Sequence, residues 1–483
     1  MSKVWPPFFV EDIFVGKTFD SFSLDDQKGV VEHRKKVSLT TKFSSHISLN
    51  LPVVAANMDT VTGPEMCIAM AQEGGIGILH RKASVAAQTE WVKQVKRAEN
   101  LVIESPYCVL ETNTVGQARV EMSKRKVRTL LAVNSAGELT GMITENGISL
   151  CLNDNESVLD WMKKLMGGEL VFSKKDIVSV EEARRELIRL GVTKLPLVDD
   201  KFKIKGLITR KDIANLVKNF LASKDSKGRL RVGAAIGATG DYLERAAALI
   251  EAGADVIVID IAHGFSAVME KAVRDFQKNF KHELVCGNVS NYQGAEFLQD
   301  LEVDGIKVGL GSGRGCRTRL ETSAGVPQVQ AIRGAFQATA LPIISDGGVR
   351  QNGHIAMALL LGASSVMVGS LLAGTNETPG EVIPDPAGGA GYKVYRGMTS
   401  AEAKLEQVGS SDKIENIEGQ SMAVPYTGKS VKEILRRIRH NLQSMVSYAG
   451  EESLQKAMEK VSQDPTEYLI PLDQASQEES FER

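Results

Sequence analysis

Aromatic residues are scarce in this chain, at 5% of 483 positions, and no apolar run approaches the roughly 18 residues that a membrane span needs. Cysteine is also sparse. Cys67, Cys108, Cys151, Cys286 and Cys316 form no CxxC pair and no metal-ligand spacing, which excludes a disulfide scaffold and a zinc module and points to a reducing compartment. Neither charge predominates, with 58 Lys plus Arg against 60 Asp plus Glu, so there is no electrostatic case for a nucleic-acid or membrane partner. The opening residues, MSKVWPPFFVED, lack the basic-then-apolar plan of a signal peptide, and the expected location is cytoplasmic. Hydrophobic residues make up 43% of the chain, an ordinary value that excludes whole-chain disorder.

What the chain does have is glycine, 44 residues of it, and a repeating pattern. Short apolar runs ending in Gly, Asp or Asn alternate with amphipathic helical stretches. From residue 232 onward they are VGAAIG (232–237), DVIVID (255–260), ELVCGN (283–288), GIKVGLG (305–311), LPIISDGG (341–348) and SSVMVGS (364–370). LPVVAANMD (51–59) and GIGILH (75–80) precede them. Continuous apolar strands followed by helices mean a parallel sheet. Two units plus six make eight, the closure number of a (β/α)8 TIM barrel, with an open doubly wound sheet as the alternative.

Residues 101–222 interrupt the count and divide the barrel into 1–100 and 223–483. They hold two similar blocks, 115–148 and 180–213, each reading helix, strand, turn, strand, then Gly-x-Ile-Thr at a helix start. The duplication resembles a tandem pair of CBS domains, which bind adenine or guanine nucleotides. Thr209 and Asp212 match that family's ribose-phosphate pattern. Thr144 matches in the first block, but Gly147 stands where the acidic residue belongs. A purely structural insertion is the alternative. The insertion follows the second barrel helix and so leaves from the face opposite the strand C-termini, where barrel active sites lie.

The loop after the sixth strand, Val308 to Arg319, is rich in glycine and in arginine. Cys316 closes it. Cations beside a thiol favour the nucleophilic thiolate, so Cys316 is the candidate nucleophile, while the other four cysteines read as small buried hydrophobes. Asp346-Gly347-Gly348 after the seventh strand and Gly369-Ser370 after the eighth suit a phosphate site, with Asp346 as an acceptor for ribose hydroxyls. Among the histidines, His80 and His263 end strands on the active face. His354 reads as capping or packing, and His33, His46, His282 and His440 as solvated. The acidic tail 473–483 reads as mobile.

Taken in order, AANMDTVTG, QEGGIGILHR, DIAHGFS, GNVSN, KVGLGSGRGCRTR, AGVPQ, SDGGVRQNGH, MVGSLLAGTNETPGE and YRGMTS resemble the IMP dehydrogenase/GMP reductase family over nearly the whole chain. The resemblance implies a (β/α)8 barrel that forms a homotetramer or octamer, with regulatory purine nucleotides on the inserted pair. It implies that Cys316 attacks C2 of the purine of GMP or IMP and that Thr318 assists proton transfer. Carbonyls of Gly311, Gly313 and Cys316 would hold a monovalent cation, usually potassium. Asp346 would hold the ribose; Gly348, Gly369 and Ser370 the phosphate. Met58 and Met398 would line the base, with Tyr395, Gly397 and Thr399 on the substrate side. Asp260 and Asn288 would lie beside the nicotinamide, and Arg81 would meet the 2′-phosphate of NADPH. Two positions depart from the family: Arg314 stands where Ser is common and Arg317 where Thr is common.

The two activities of the family share a Cys-purine intermediate. The dehydrogenase hydrolyses it, using an Arg-Tyr pair on a flap. The corresponding segment, 397–418, reads GMTSAEAKLEQVGSSDKIENIE and contains neither residue. Thr399 and Asn57 are reductase-like, and Glu418 is shared by both activities. With Thr318, Glu418 would protonate departing ammonia. The sequence is therefore read as an NADPH-dependent GMP reductase, with IMP dehydrogenase as the alternative: QEGGIGILH is dehydrogenase-like, most reductases lack CBS domains, and Lys413 is a candidate for the missing Arg. A non-catalytic nucleotide sensor is a third reading, against which Cys316, Thr318 and Glu418 together argue.

Overall fold

A computed structural model describes residues 11–99, 101–125, 127–165, 170–175, 177, 179–408 and 416–481. The chain forms two compact units, one of residues 1–98, 221–226 and 230–483, the other of 99–220 with 227–229.

The first unit is a closed barrel of eight parallel strands: β1 (Val53–Ala55), β2 (Ile76–Leu79), β3 (Gly233–Ile236), β4 (Val256–Asp260), β5 (Leu284–Val289), β6 (Gly305–Val308), β7 (Ile343–Asp346) and β8 (Ser365–Val368). Closure pairs β8 with β1 through Val366↔Val53, and β2 with β3 through Ile78↔Gly233. The open sheet is thereby excluded. Helices include α1 (Pro64–Gln72), α2 (Val85–Ala98), α3 (Tyr242–Glu251), α4 (Ala267–Asn279), α5 (Tyr292–Asp300), α6 (Gln328–Ala338), α7 (Asn352–Leu360) and α8 (Val431–Tyr448).

Successive strand residues point to opposite faces. Val54, Ile76, Ile78, Ala235, Val256, Val258, Val285, Ile344 and Met367 fill the barrel interior. Phe43, Ile47 and Leu49, on and beside the hairpin of Thr41–Lys42 with Ser48–Leu49, join this interior cluster and are buried. They plug the N-terminal end, each large side chain contributing about 2–3 kcal/mol of burial. The same parity carried upward brings Asp260, Lys307 and Asp346 to the C-terminal end. The plug seals one end with hydrocarbon, while the other ends in charge. Beyond β8, strands β9 (Tyr392–Arg396) and β10 (Ser421–Pro425) pair antiparallel and carry the 397–420 segment between them. The acidic tail, expected to be mobile, forms a helix over Gln474–Phe481.

In the second unit, Thr129–Val133 pairs with Leu139–Thr144, and Lys194–Val198 with Ile204–Thr209, both antiparallel. A helix follows each second strand. Thr144 Oγ1 accepts from Gly147 N and Thr209 Oγ1 from Asp212 N, so the two blocks repeat the same N-cap. Asp212 also accepts from the Thr209 hydroxyl at 2.5 Å. Cys108 corrects the expectation of a buried thiol: its three-residue edge strand alternates exposed, buried, exposed, and Cys108 falls on an outward position.

Candidate active site

One cleft at the C-terminal mouth of the barrel is lined by every barrel residue to which the family resemblance assigns a catalytic, substrate, cofactor or cation role: Met58, Arg81, Asp260, Asn288, Gly311, Gly313, Cys316, Thr318, Asp346, Gly348, Gly369, Ser370, Tyr395, Gly397, Met398, Thr399 and Glu418. Thr209 and Asp212 belong to the other unit.

The nucleophile loop is held in place by the flap segment. Gln420 N donates to Gly315 O at 3.0 Å, Arg317 N to Glu418 O at 2.7 Å and Gly419 N to Thr399 O at 3.2 Å. Backbones touch here. A Cβ on Gly315 would lie 2.9 Å from Gly397 N, and one on Gly419 would lie 2.5 Å from Ser400 N. Only glycine permits that approach.

Cys316 Sγ lies 3.1 Å from Thr318 Oγ1, and the Thr318 hydroxyl donates to Glu418 Oε2 at 2.8 Å. The thiol's partner is therefore a hydroxyl and not, as the arginine-rich loop suggests, a guanidinium. Arg317 turns to Glu321 at 2.8 Å, and Arg319 bonds the carbonyl of Val326. The short helix Thr318–Thr322, with Arg317 at its N-cap, turns these guanidinium groups to acceptors other than the thiol.

Below the loop lies Lys307, only 2% exposed, which the sequence reading passed over. Its Nζ meets Asp260 at 2.9 Å and Asp346 at 2.6 Å. Burial alone would push the lysine pKa down, but the two carboxylates outweigh it and hold the ammonium charged, above its ordinary range. Burial likewise opposes ionisation of Asp260, and Lys307, Asn57 and Arg81 reverse it, so Asp260 titrates below its ordinary value. Asn57 donates to Asp260 at 2.6 Å. Asn288 Nδ2 donates to Gly309 O at 2.7 Å and to Asp346 at 3.0 Å. Its Oδ1 is buried without a partner. Both Asp260 oxygens are thus engaged. On Asp346 the lysine and asparagine bonds converge on Oδ2. The sequence signal for Lys307 was a charge inside the four-residue apolar strand GIKV.

Gln328, buried at the start of α6, was quoted in a motif but given no role. It donates to Val308 O at 2.7 Å and to Ser345 Oγ at 3.1 Å and accepts from Ser312 Oγ at 2.7 Å, tying β6 and β7 to the nucleophile loop. Gly348 N–H, expected to face a phosphate, instead donates to Ser312 O at 3.0 Å. Burial pushes the Tyr395 phenol up to about 12, with Asp346 adding to this and Arg314 opposing it.

A second charged cluster fixes the flap. Asp59 meets Arg396 at 2.5 Å and Lys82 at 3.1 Å, and Glu406 meets the same two cations at 2.7 Å each. His80 leaves the active face for the core: it is buried and packs edge-on against Trp91. Its pKa falls to about 4, chiefly through burial. His263 is exposed outside the cleft. His354 packs as expected, bonded to Asp20 at 2.7 Å. His282 is half-buried rather than solvated. Residues 410–414, which carry Lys413, lie outside the described residues.

The carbonyl set expected for a monovalent cation is a poor fit. Gly313 O already accepts from Cys316 N at 3.0 Å. The Arg319 side chain packs where a Cβ on Gly311 would be, its buried Nε without a partner, so positive charge already stands there. For a nicotinamide the residues do fit: Asn288 Oδ1 is an orphaned acceptor in the cleft, and Arg81 carries an exposed charge there.

A (β/α)8 barrel whose mouth joins a cysteine, a hydroxyl relay and a carboxylate to glycine-lined strand ends defines a nucleotide-handling enzyme. A family model for the IMP dehydrogenase / GMP reductase domain matches residues 16–481, and the chain belongs to that family. It is 42% identical over 448 residues to an inosine-5′-monophosphate dehydrogenase of Nitrosopumilus maritimus, covering 90% of this chain and 92% of the relative. It is 38% identical over 459 residues to a GMP reductase of Leishmania major, covering 91% and 92%. Among solved structures, a cysteine-to-alanine variant of Trypanosoma brucei GMP reductase in complex with guanosine 5′-monophosphate superposes with a TM-score of 0.89 at 35% identity, covering 96% of this chain and 97% of that one. The protein is thus an oxidoreductase of purine nucleotides. Among the described residues, no helix is long and apolar enough to cross a membrane.

Proposed function

We propose that the chain is a GMP reductase, converting GMP to IMP and ammonia with NADPH. One relationship carries this reading. The hydroxyl beside the nucleophile is bonded to Glu418, while no Arg or Tyr occurs between Gly397 and Glu418 to activate water.

The chemistry balances on these groups. The Cys316 sulfur forms a bond to C2 of the purine as the bond from C2 to the exocyclic nitrogen breaks. The thiol proton passes through the Thr318 hydroxyl to Glu418, which delivers it to the leaving amine, so ammonia departs neutral. The nicotinamide, when bound, supplies the hydride that replaces sulfur at C2. Asn288, Asp260 and Arg81, which line the cleft, would contact it. Asp346 accepts from the ribose; the loop at Gly369–Ser370 takes the phosphate.

The dehydrogenase reading is favoured by the Nitrosopumilus relative, a named IMP dehydrogenase at 42% identity. The two readings differ in the adduct each substrate leaves. With GMP and no NADPH, a reductase carries a mass addition on Cys316 equal to GMP less ammonia, absent from Cys316→Ser. A protein that stays unmodified with GMP but is modified by IMP plus NAD is a dehydrogenase.

The second unit is read as a CBS pair whose Thr209 and Asp212 contact a purine nucleotide, with assembly as a homotetramer or octamer. The duplicated cap at Thr144 and Thr209 supports the first part.

A further inference from the structure

The barrel end opposite the cleft carries a cluster that the reaction does not use. The hairpin of Thr41–Lys42 with Ser48–Leu49 turns through His46, Glu283 stands immediately before β5, and Asp304 immediately before β6. His46 Nδ1 lies 2.9 Å from Glu283 Oε2 and 3.8 Å from Asp304 Oδ1, and one donor atom from each residue falls within 4.8 Å of the other two. Among the described residues this is the one group of three histidine, cysteine or carboxylate side chains that converges so closely. The side chain of His46 is 79% exposed and that of Glu283 only 10%. The cluster therefore opens to solvent on its histidine side and is rooted in the barrel on its carboxylate side.

Each carboxylate is held by one oxygen and presents the other to the imidazole. Ser44 Oγ and His46 N donate to Glu283 Oε1, at 2.5 and 2.8 Å. Leu284 N donates to Asp304 Oδ2 at 2.9 Å, and Ser45 N to Asp304 O at 2.8 Å. The two anions repel one another: burial raises the Asp304 pKa, and Glu283 adds to the rise. A further nitrogen is left over next to Glu283. His282 Nε2 is buried with no partner among the described residues, and Glu283 and Asp304 both act electrostatically on its ring. Buried polar atoms are paired in the great majority, and an unpaired imidazole nitrogen in the field of two carboxylates suits a cation.

We propose that His46, Glu283 and Asp304 form a binding site for a divalent transition-metal ion, zinc above all, which ties the hydrophobic plug to the first residues of β5 and β6. One imidazole nitrogen with two carboxylate oxygens matches zinc, whereas magnesium and calcium take oxygen ligands. Tetrahedral zinc at about 2.0–2.2 Å from its ligands sets them about 3.3–3.6 Å apart. The spacings here bracket that value, and shifts of about 1 Å, which the exposed His46 can make, close the site. Three protein ligands leave a position for water on the solvent side. Phe43 and Ile47 flank the turn and bury in the barrel interior, so the ion acts on the stability of the plug, at the end of the barrel away from Cys316.

The test titrates the full-length protein, first stripped of metal with a chelator, with zinc in isothermal calorimetry, and repeats the titration with cobalt(II), magnesium and calcium. Wild type should take up one zinc per chain that His46→Ala and Asp304→Asn bind far more weakly. Each variant should lose at least the roughly 10- to 100-fold in affinity that even the outer partners of a metal are worth. Magnesium and calcium should bind wild type at least about tenfold more weakly than zinc. The cobalt difference spectrum, wild type minus H46A, should show the visible bands of a nitrogen and oxygen site without the charge-transfer band that a cysteine ligand adds. Zinc should raise the melting temperature of wild type and not that of H46A, each against its own value in chelator. Zinc bound equally by wild type and H46A, a thiolate band in the difference spectrum, or magnesium or calcium bound as tightly as zinc overturns the proposal. So does a wild type that binds no zinc.

Discussion

Thr318 Oγ1 stands between two groups of the site, 3.1 Å from Cys316 Sγ and 2.8 Å from Glu418 Oε2, and its hydroxyl proton points to the carboxylate. That polarity leaves the threonine oxygen able to accept from the thiol. Removing the carboxylate at the end of the relay or the hydroxyl at its middle removes proton transfer without removing the binding cleft. Glu418→Gln and Thr318→Val should each lower kcat by about 10²- to 10⁴-fold while KM for the nucleotide changes little. Steady-state kinetics checks this; a rise in KM with kcat intact would assign both residues to binding.

Lys307 balances Asp260 and Asp346 in a nearly dry position. Lys307→Met leaves two carboxylates uncompensated and should cost about 3–5 kcal/mol in denaturant unfolding at neutral pH. Asp260 titrates below its unfolded value, so its contribution is present above the ordinary carboxylate range and lost as pH falls through the folded pKa. The gap between wild type and variant should therefore narrow in acid.

His80 makes a second pH prediction, of distinct origin. Its folded pKa is about 4 against an ordinary 6.5, so between those values the unfolded chain binds the extra proton. Stability falls as pH drops through that window, by about 3 kcal/mol in all. His80→Gln should lose that component of the pH dependence, measured as the difference in unfolding free energy at the two ends.

Potassium should matter little. Arg319 already places a cation beside Gly311, and Gly313 O is partly engaged. Replacing potassium by sodium or by a bulky organic cation at constant ionic strength should change the rate by less than about twofold; a steep, saturable potassium dependence would show that the loop carbonyls do coordinate the ion.

The barrel was legible because parallel strands buried on both faces read as continuous apolar runs. Seven fall inside the expected segments, and the fifth, Leu284–Val289, runs one residue past its segment. The cleft was legible because strand-end loops carry the unusual residues, glycine above all. Lys307 was missed because it sits within an apolar run that reads as core, and its function depends on partners 47 and 39 residues away in sequence, visible only after closure. The charges around Cys316 misled for a related reason. Sequence proximity puts three arginines beside the thiol, yet a short helix turns two of them to other acceptors. His80 reads as an active-face residue from its strand-end position, but packing against Trp91, on α2, draws it inward.

The central claim is that this cleft expels ammonia rather than adding water. The direct measurement incubates the purified protein with GMP and NADPH, and separately with IMP and NAD, following nicotinamide absorbance and ammonia together. One ammonia released for each NADPH oxidised, with IMP as product and no turnover of the second pair, is the predicted result. Formation of XMP from IMP and NAD, with GMP and NADPH left untouched, would contradict it.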